Sequence, residues 1–259
     1  MNRSISTQQK TTIGNVSSDW PSVLSGIPQG SIMGSLLFII YINDLVDSCS
    51  NGSELYLYAD DAKLFKHILS GLDRELLQRD LDNLNSWTEK WLLKLNVNKC
   101  KYMLYERSHS DASVNHYTIS GVNLEQVEVM KDLGVKFDSK LKFTDHINEK
   151  INKAYGILGL IKRNFKYISE KCFVTLYKTM VRSHLEYAQG VWSPHLVGHI
   201  KNIEKVQMRA TKFITRIKDL SYIERLKELK LPTLKYRRLR GDMIELYKMI
   251  TGIYNKDVS

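Results

Sequence analysis

The chain is predicted to be an α+β protein, with an antiparallel sheet and packed helices in its first half and helices alone in its second. Three observations carry this reading. Short strand-like runs bounded by turn residues cluster in 54–66 and 100–138. Apolar residues recur at helical spacing over 32–42, over 72–95 and from 144 onward. Net positive charge is confined to the second half: residues 1–130 hold 11 basic and 15 acidic residues, and 131–259 hold 27 and 13, or +14. A length of 259 residues suits one large or two compact domains, and 43% hydrophobic with 25% charged residues is a globular composition rather than a disordered, collagen-like or rod-like one. The expected division is 1–138, mixed, and 139–259, helical and basic.

Taken in order, residues 10–25 are rich in Thr, Ser and Val and read as a strand and loop running into Gly26-Ile27-Pro28-Gln29-Gly30, whose Gly and Pro enforce a turn. The apolar run Ile32–Ile42 follows, far short of the roughly 20 residues that cross a bilayer, and reads as a buried helix ended by Asn43, Asp44 and Asp47. Leu55–Ala59 and Ala62–Lys66 read as two strands of a hairpin with Asp60 and Asp61 at its tip. Leu72, Leu76, Leu84, Trp87, Trp91 and Leu95 mark the buried stripe of a long helix, which puts both tryptophans in packing rather than in a ligand box. Runs KYMLY, HYTIS, VNLEQVEV and LGVKF between 100 and 138 read as strands. From Thr144, the expected N-cap, helical spacing resumes through Ile147, Ile151, Tyr155, Leu158, Ile161 and Phe165. Helices from Ser169 to about Val191, from Leu196 to Ile217, and two shorter ones about Pro232 complete the chain.

The polar N-terminus lacks the apolar core of a secretory signal, and Cys49, Cys100 and Cys172 form neither a disulfide framework nor a CxxC pair. An intracellular, reducing environment is therefore expected, without zinc or membrane. The basic second half points to a polyanion partner, most often nucleic acid; the bland alternative is a solvated helical surface. Two adjacent aspartates could likewise be ordinary turn residues, since Asp bonds its own backbone in turns. The chemical alternative is that carboxylates this close share a hard divalent cation with a phosphate.

Six segments taken together decide between these readings: SGIPQGSIMGSLLFIIYINDL (25–45), LYADDAKLF (57–65), WLLKLNVNKCKYM (91–103), KDLGVKFDSKLKFTDHI (131–147), LEYAQGVWSPH (185–195) and ERLKELKLPTLKYRRLRGDMIELYK (224–248). In this order they resemble the reverse transcriptases of non-LTR retrotransposons, LINE-type and jockey/CR1-like. The resemblance implies a partial right-hand polymerase palm carrying a YADD hairpin, then an all-helical thumb and C-terminal extension. It implies Mg²⁺-dependent nucleotidyl transfer from dNTPs on an RNA template and DNA primer, in the nucleus at target DNA. Asp60 and Asp61 match the family's metal-site pair, Asp60 being the stronger candidate, with Tyr58 beside them on the substrate side. Gly26, Pro28, Gln29 and Gly30 match the segment beside the templating base and incoming nucleotide, where absent side chains let backbone approach the duplex. Lys99 matches a lysine near the leaving pyrophosphate, where an ammonium can neutralise charge or donate a proton; read alone it is one more exposed lysine. Leu133, Gly134 and Val135 match a turn that grips the primer end, although a purely structural hairpin fits them nearly as well. Lys162, Arg163, Lys166, Arg237, Arg238 and Arg240 are the expected contacts to nucleic-acid backbone, the alternative being pairing of the arginines with Asp242 and Glu245.

The chain also departs from the pattern, at Met33, Ser35 and Ala62 and, more seriously, at its start. The family places one catalytic aspartate in a strand upstream of the Gly-Pro-Gln-Gly turn, and nothing in 1–25, Asp19 included, resembles it. As it stands the chain is expected to hold an incomplete two-metal site and to be inactive alone. The rival reading is a non-catalytic nucleic-acid-binding remnant in which only the basic part functions.

Overall fold

The computed structural model describes residues 8–22, 31–105 and 116–254. They fall into two compact units, Met1–Cys100 with Val114–Glu125, and Lys101–Ser113 with Gln126–Ser259.

In the first unit, Thr12–Ile13 and Val16–Ser17 pair antiparallel about Gly14 as a small exposed hairpin, less than the expected strand. Helix α1, Ile32–Ile42, is capped by Ser31, whose hydroxyl accepts from the Gly34 amide at 3.2 Å. The expected burial of α1 is corrected: Gly34 and Ile42 are buried, whereas Ile32, Met33, Leu36, Leu37, Ile39 and Ile40 are exposed. The reason is geometric. The helix is apolar on every side, and the cluster it packs on, formed by Leu45, Leu84, Leu55, Leu57, Trp87 and Leu95, covers only the face of Phe38 and Ile42.

Strands Glu54–Tyr58 and Asp61–Phe65 form the expected hairpin. Helix α2, Gly71–Lys90, starts at a capping box in which Asp73 Oδ2 accepts from the Ser70 amide at 2.8 Å and the Leu69 amide at 3.0 Å. Its inward stripe is shorter than expected, because Leu84 is buried and Trp87 half-buried, while Leu72 is exposed and Trp91 is already the C-cap. Trp91 rests edge-on against Tyr41, ring centroids 5.9 Å apart, and the Tyr41 hydroxyl donates to its carbonyl. A short hairpin, Thr118–Ile119 with Val122–Asn123, docks on α2 through Gln78, which accepts from the Thr118 amide and donates to its carbonyl, both at 2.9 Å.

The second unit opens on the hairpin Val129–Asp132 and Val135–Asp138. The expected boundary at 138 falls just after this hairpin. This hairpin groups with the helices that follow, because Val135 lies inside their core and Phe137 packs on Phe143 with centroids 5.5 Å apart. Helix α3, Thr144–Asn164, begins with Thr144 as its first helical residue, not its cap; Phe143 precedes it in the left-handed region at φ 55°. The carboxylate of Asp138 instead fixes the loop that leads into the helix. Its Oδ1 accepts from the Lys140 and Lys142 amides at 3.1 Å and its Oδ2 from the Phe143 amide at 2.6 Å.

Helix α4, Glu170–Leu176, is capped by Ser169 as expected and runs on as a π-helical stretch, Tyr177–Arg182, into α5, Ser183–Glu186. The single helix expected to Val191 breaks at Tyr187–Ala188, with Ala188 at φ 50°, before the short α6, Gln189–Trp192. Helices α7, Val197–Thr211, α8, Tyr222–Glu228, and α9, Leu234–Ile250, complete the unit. Their core gathers Ile147, Leu158, Phe173, Tyr177, Leu185, Trp192, Ile203 and Leu234. Two polar side chains inside it are fully bonded, as burial requires. Gln207 accepts from the Tyr177 hydroxyl at 2.7 Å and donates to the Tyr222 hydroxyl at 3.0 Å and the Pro232 carbonyl at 2.9 Å. Arg225 donates to Thr211 Oγ1 at 3.0 Å and to the Met208 carbonyl at 3.3 Å. No helix among the described residues is long and apolar enough to cross a membrane.

Candidate active site

The tip of the 54–65 hairpin is where the sequence places its chemistry, and the register is one residue earlier than expected. Ala59 and Asp60 form a two-residue turn, with Ala59 at φ 53°, and Asp61 opens the second strand opposite Tyr58. Strand alternation sorts the rest. Leu55, Leu57 and Leu64 are half-buried on the core side, whereas Tyr56, Tyr58, Lys63 and Asp61 face solvent with Asp60. The two carboxylates therefore stand adjacent and exposed at the end of a stiff ribbon. Tyr56 donates to Glu54 Oε2 at 2.5 Å, and the neighbouring carboxylate holds its phenol above the usual range.

The base of that ribbon is fastened by residues the sequence reading missed. Lys66 Nζ donates to the Asn51 carbonyl at 2.6 Å, across the open end of the hairpin. Asn51 in turn donates to Asp80 Oδ1 from its amide at 3.2 Å and its side chain at 2.8 Å. Asp80 is fully buried on α2, so the hairpin is tied to the longest helix of its unit. Asp80 falls in the run LQRDLDNL, where it looks like any other acidic residue of a polar helix face; only its burial marks it out.

Lys99 ends a short 3-10 turn, Val97–Lys99, in the same unit and is exposed. Gly26, Pro28, Gln29 and Gly30 lie outside the described residues. Among the described residues no group of three or more His, Cys, Asp or Glu is placed to hold a metal. The pair Asp60–Asp61 nonetheless offers only hard oxygen donors, and Mg²⁺ characteristically binds through one or two carboxylates completed by water and substrate phosphates. The pair fits that mode.

In the second unit, Leu133 and Gly134 form a two-residue turn with φ of 43° and 83°, the left-handed pair that a type I′ hairpin requires. The hairpin is joined to α3 at the next residues. The Lys136 amide donates to His146 Nδ1 at 3.1 Å, and Lys136 Nζ pairs with Glu149 at 2.6 Å. His146 is fully buried beside Trp192, ring centroids 5.2 Å apart. Burial, reinforced by the nearby Lys150 charge, lowers its pKa to about 4. An unfolded histidine binds its proton near pH 6.5. Between pH 6.5 and about 4 the folded state thus holds fewer protons than the unfolded one, and stability falls as the pH falls through that window. Urea unfolding between pH 7.5 and 5 should show wild type losing up to about 1.4 kcal/mol per pH unit more than His146→Gln; parallel curves would mean that His146 is not the group that titrates.

The basic clusters separate. Lys162, Arg163 and Lys166, at and beyond the end of α3, are all exposed, with Lys162 Nζ 5.9 Å from the Phe213 ring. The α9 cluster needs correction. Arg237 makes a two-pronged ion pair with Glu186, Nη2 to Oε2 at 2.9 Å, and Arg238 is buried, so both are engaged inside the fold. The partner of Arg237 is Glu186 rather than the expected Asp242 or Glu245, and Glu245 pairs with Lys248 at 2.8 Å. Of the three arginines Arg240 alone is exposed.

Comparison with known proteins fits this arrangement. The profile of the reverse transcriptase (RNA-dependent DNA polymerase) family matches residues 7–168, more than half of the chain, and the chain belongs to that family. It is 30% identical over 205 residues to the RNA-directed DNA polymerase from mobile element jockey of Drosophila funebris. It is 26% identical over 205 residues to the probable RNA-directed DNA polymerase from transposon X-element of Drosophila melanogaster. These matches cover 74% and 75% of this chain and 22% of each relative, so the chain spans about a fifth of their length. No solved structure matches it significantly.

Proposed function

We propose that the chain is part of the RNA-directed DNA polymerase of a non-LTR retrotransposon, contributing part of the palm and a helical thumb. The observation that carries this is the hairpin that presents Asp60 and Asp61 side by side at an exposed tip while Asp80, Asn51 and Lys66 fasten its base. Asp60 and Asp61 would hold Mg²⁺, which when bound neutralises phosphate charge and lowers the pKa of a coordinated oxygen. The substrates on this reading are dNTPs, an RNA template and the 3′ end of a DNA primer. Lys99 would balance charge on the leaving pyrophosphate, Tyr58 would lie on the substrate side of the aspartates, and the Leu133–Gly134 turn would meet the primer end. The site of action would be nuclear target DNA. RNA-templated extension of a labelled DNA primer tests the reading, and extension indifferent to Asp60 overturns it.

The basic part of the reading rests on Lys162, Arg163 and Lys166, which stand exposed together near the end of one helix. Phosphate contacts of this kind are sequence-independent and salt-sensitive, each neutralised phosphate adding about 0.9 to the log–log salt slope on B-form DNA. Replacing the three with alanine should flatten the slope for an RNA–DNA hybrid by about one to three units without changing Tm. Arg237→Ala should instead lower Tm, because it leaves Glu186 half-paired. Identical salt slopes for wild type and the triple variant would show that this cluster merely balances the C-terminal end of α3.

A further inference from the structure

The turn at Leu133–Gly134 is held by its carbonyls. In an exposed two-residue hairpin the central peptide oxygens can turn to water, because they take no part in the strand ladder. Here each has a side-chain donor from the helical part of its own unit. The Tyr187 hydroxyl donates to the Leu133 carbonyl at 2.7 Å, and Lys150 Nζ donates to the Gly134 carbonyl at 3.1 Å. The tyrosine ring also abuts the glycine, where an added Cβ would come within 3.2 Å of Tyr187 Cε1. Lys150 is half-buried on α3 beside Lys153, Lys131, Lys136 and Glu149, and desolvation lowers its pKa. Drawing an ammonium partly out of water to bind one loop carbonyl costs free energy that a surface lysine avoids. Tyr187 occupies the break before α6, and its own carbonyl is fixed by Trp192 Nε1 at 2.7 Å. The turn is thus gripped from α3 and from the 187–188 corner, while the Leu133 side chain stays 44% exposed.

We propose that Tyr187 and Lys150 are positioning residues that hold the Leu133–Gly134 turn at a fixed height and angle against the terminal nucleotide of a primer. The proposal rests on reading this turn as the primer contact. It assigns the grip to two side chains far along the chain, one 54 and the other 16 residues from the carbonyl it binds. Rigid support of this kind is what a substrate contact needs, since a displacement of about 1 Å at a reacting end can cost 100-fold in rate.

Photo-crosslinking separates the proposal from the reading beneath it. The 259-residue chain is saturated with an RNA template annealed to a DNA primer that ends in an aryl(trifluoromethyl)diazirine-bearing deoxyuridine, whose carbene inserts into C–H bonds with loss of nitrogen, irradiated, and digested with trypsin. In wild type the crosslink should map to the peptide Asp132–Lys136. Tyr187→Phe with Lys150→Met should lower the yield in that peptide at least fivefold at saturation, with hybrid affinity within twofold. Lys150→Arg, which keeps a donor, should hold the yield within twofold of wild type. A purely structural role would lower Tm but leave the crosslink of folded, saturated protein in place. Should the double variant fail to fold, Tyr187→Phe alone removes a single hydroxyl and should still lose two- to threefold. Undiminished yield in the folded variants overturns the clamp and leaves the turn as the primer contact. A wild-type crosslink that never falls in 132–136 overturns the reading of the turn and the clamp with it.

Discussion

Asp60→Asn is expected to lower RNA-templated primer extension by about two orders of magnitude or more, or roughly 2.7 kcal/mol of transition-state stabilisation. The comparison is made in a polypeptide as long as the relatives, of which this chain spans 22%. The substitution keeps the size and one oxygen of the side chain and replaces the other, with the charge, by an amide nitrogen that does not ligate Mg²⁺, so it tests metal holding rather than shape. Folding should be indifferent to it. Asp60 is an exposed member of a two-residue turn and takes no place in the strand pairing, so Tm should move by less than about 1 °C. That insensitivity makes the kinetic loss interpretable. Asp61→Asn tests the same site from the strand, where the side chain also lies across from Tyr58 and can affect hairpin register. Near-normal extension by Asp60→Asn would show that the metal is held elsewhere.

What could be read in the sequence was local. The 54–65 hairpin was visible because two short runs rich in aromatic and aliphatic residues flank two turn-forming aspartates. Its register was missed by one residue because Ala59, a poor turn residue, takes the left-handed position at φ 53°. The buried face of α3 was visible from its helical apolar spacing, and its entry was not: Thr144 has capping chemistry but is already helical, and Asp138 bonds the amides of Lys140, Lys142 and Phe143 in the loop ahead of it. The break at Tyr187–Ala188 carries neither Gly nor Pro, and a hydrogen bond from Trp192 secures it. Charge misled most. Counting Arg237, Arg238 and Arg240 as one cluster ignores that Glu186, 51 residues from Arg237, takes the first and the fold buries the second. Helix α1 shows the converse: hydropathy registers what could be buried, and packing needs a second surface.

The largest loss of stability should follow Trp192→Ala. The indole is 1% exposed, packs on His146 and in the core shared by α3, α4 and α7, and donates from Nε1 to the Tyr187 carbonyl at 2.7 Å. Truncating a buried aromatic to alanine costs about 3–5 kcal/mol through lost transfer energy and the cavity left behind. At roughly 2–4 °C per kcal/mol for a domain of this size, the second unit should melt about 10 °C lower. Trp192→Phe separates the two contributions, because it keeps most of the packing and gives up only the hydrogen bond, for a loss of about 1–2 kcal/mol. The cavity should also reach the neighbouring imidazole. Water admitted beside His146 removes the desolvation that lowers its pKa to about 4, so in Trp192→Ala its NMR titration should move back toward pH 6.5. A variant that melts within about 2 °C of wild type, with His146 still neutral at pH 5, would mean that the corner at Tyr187 and the core beneath it stand without the indole.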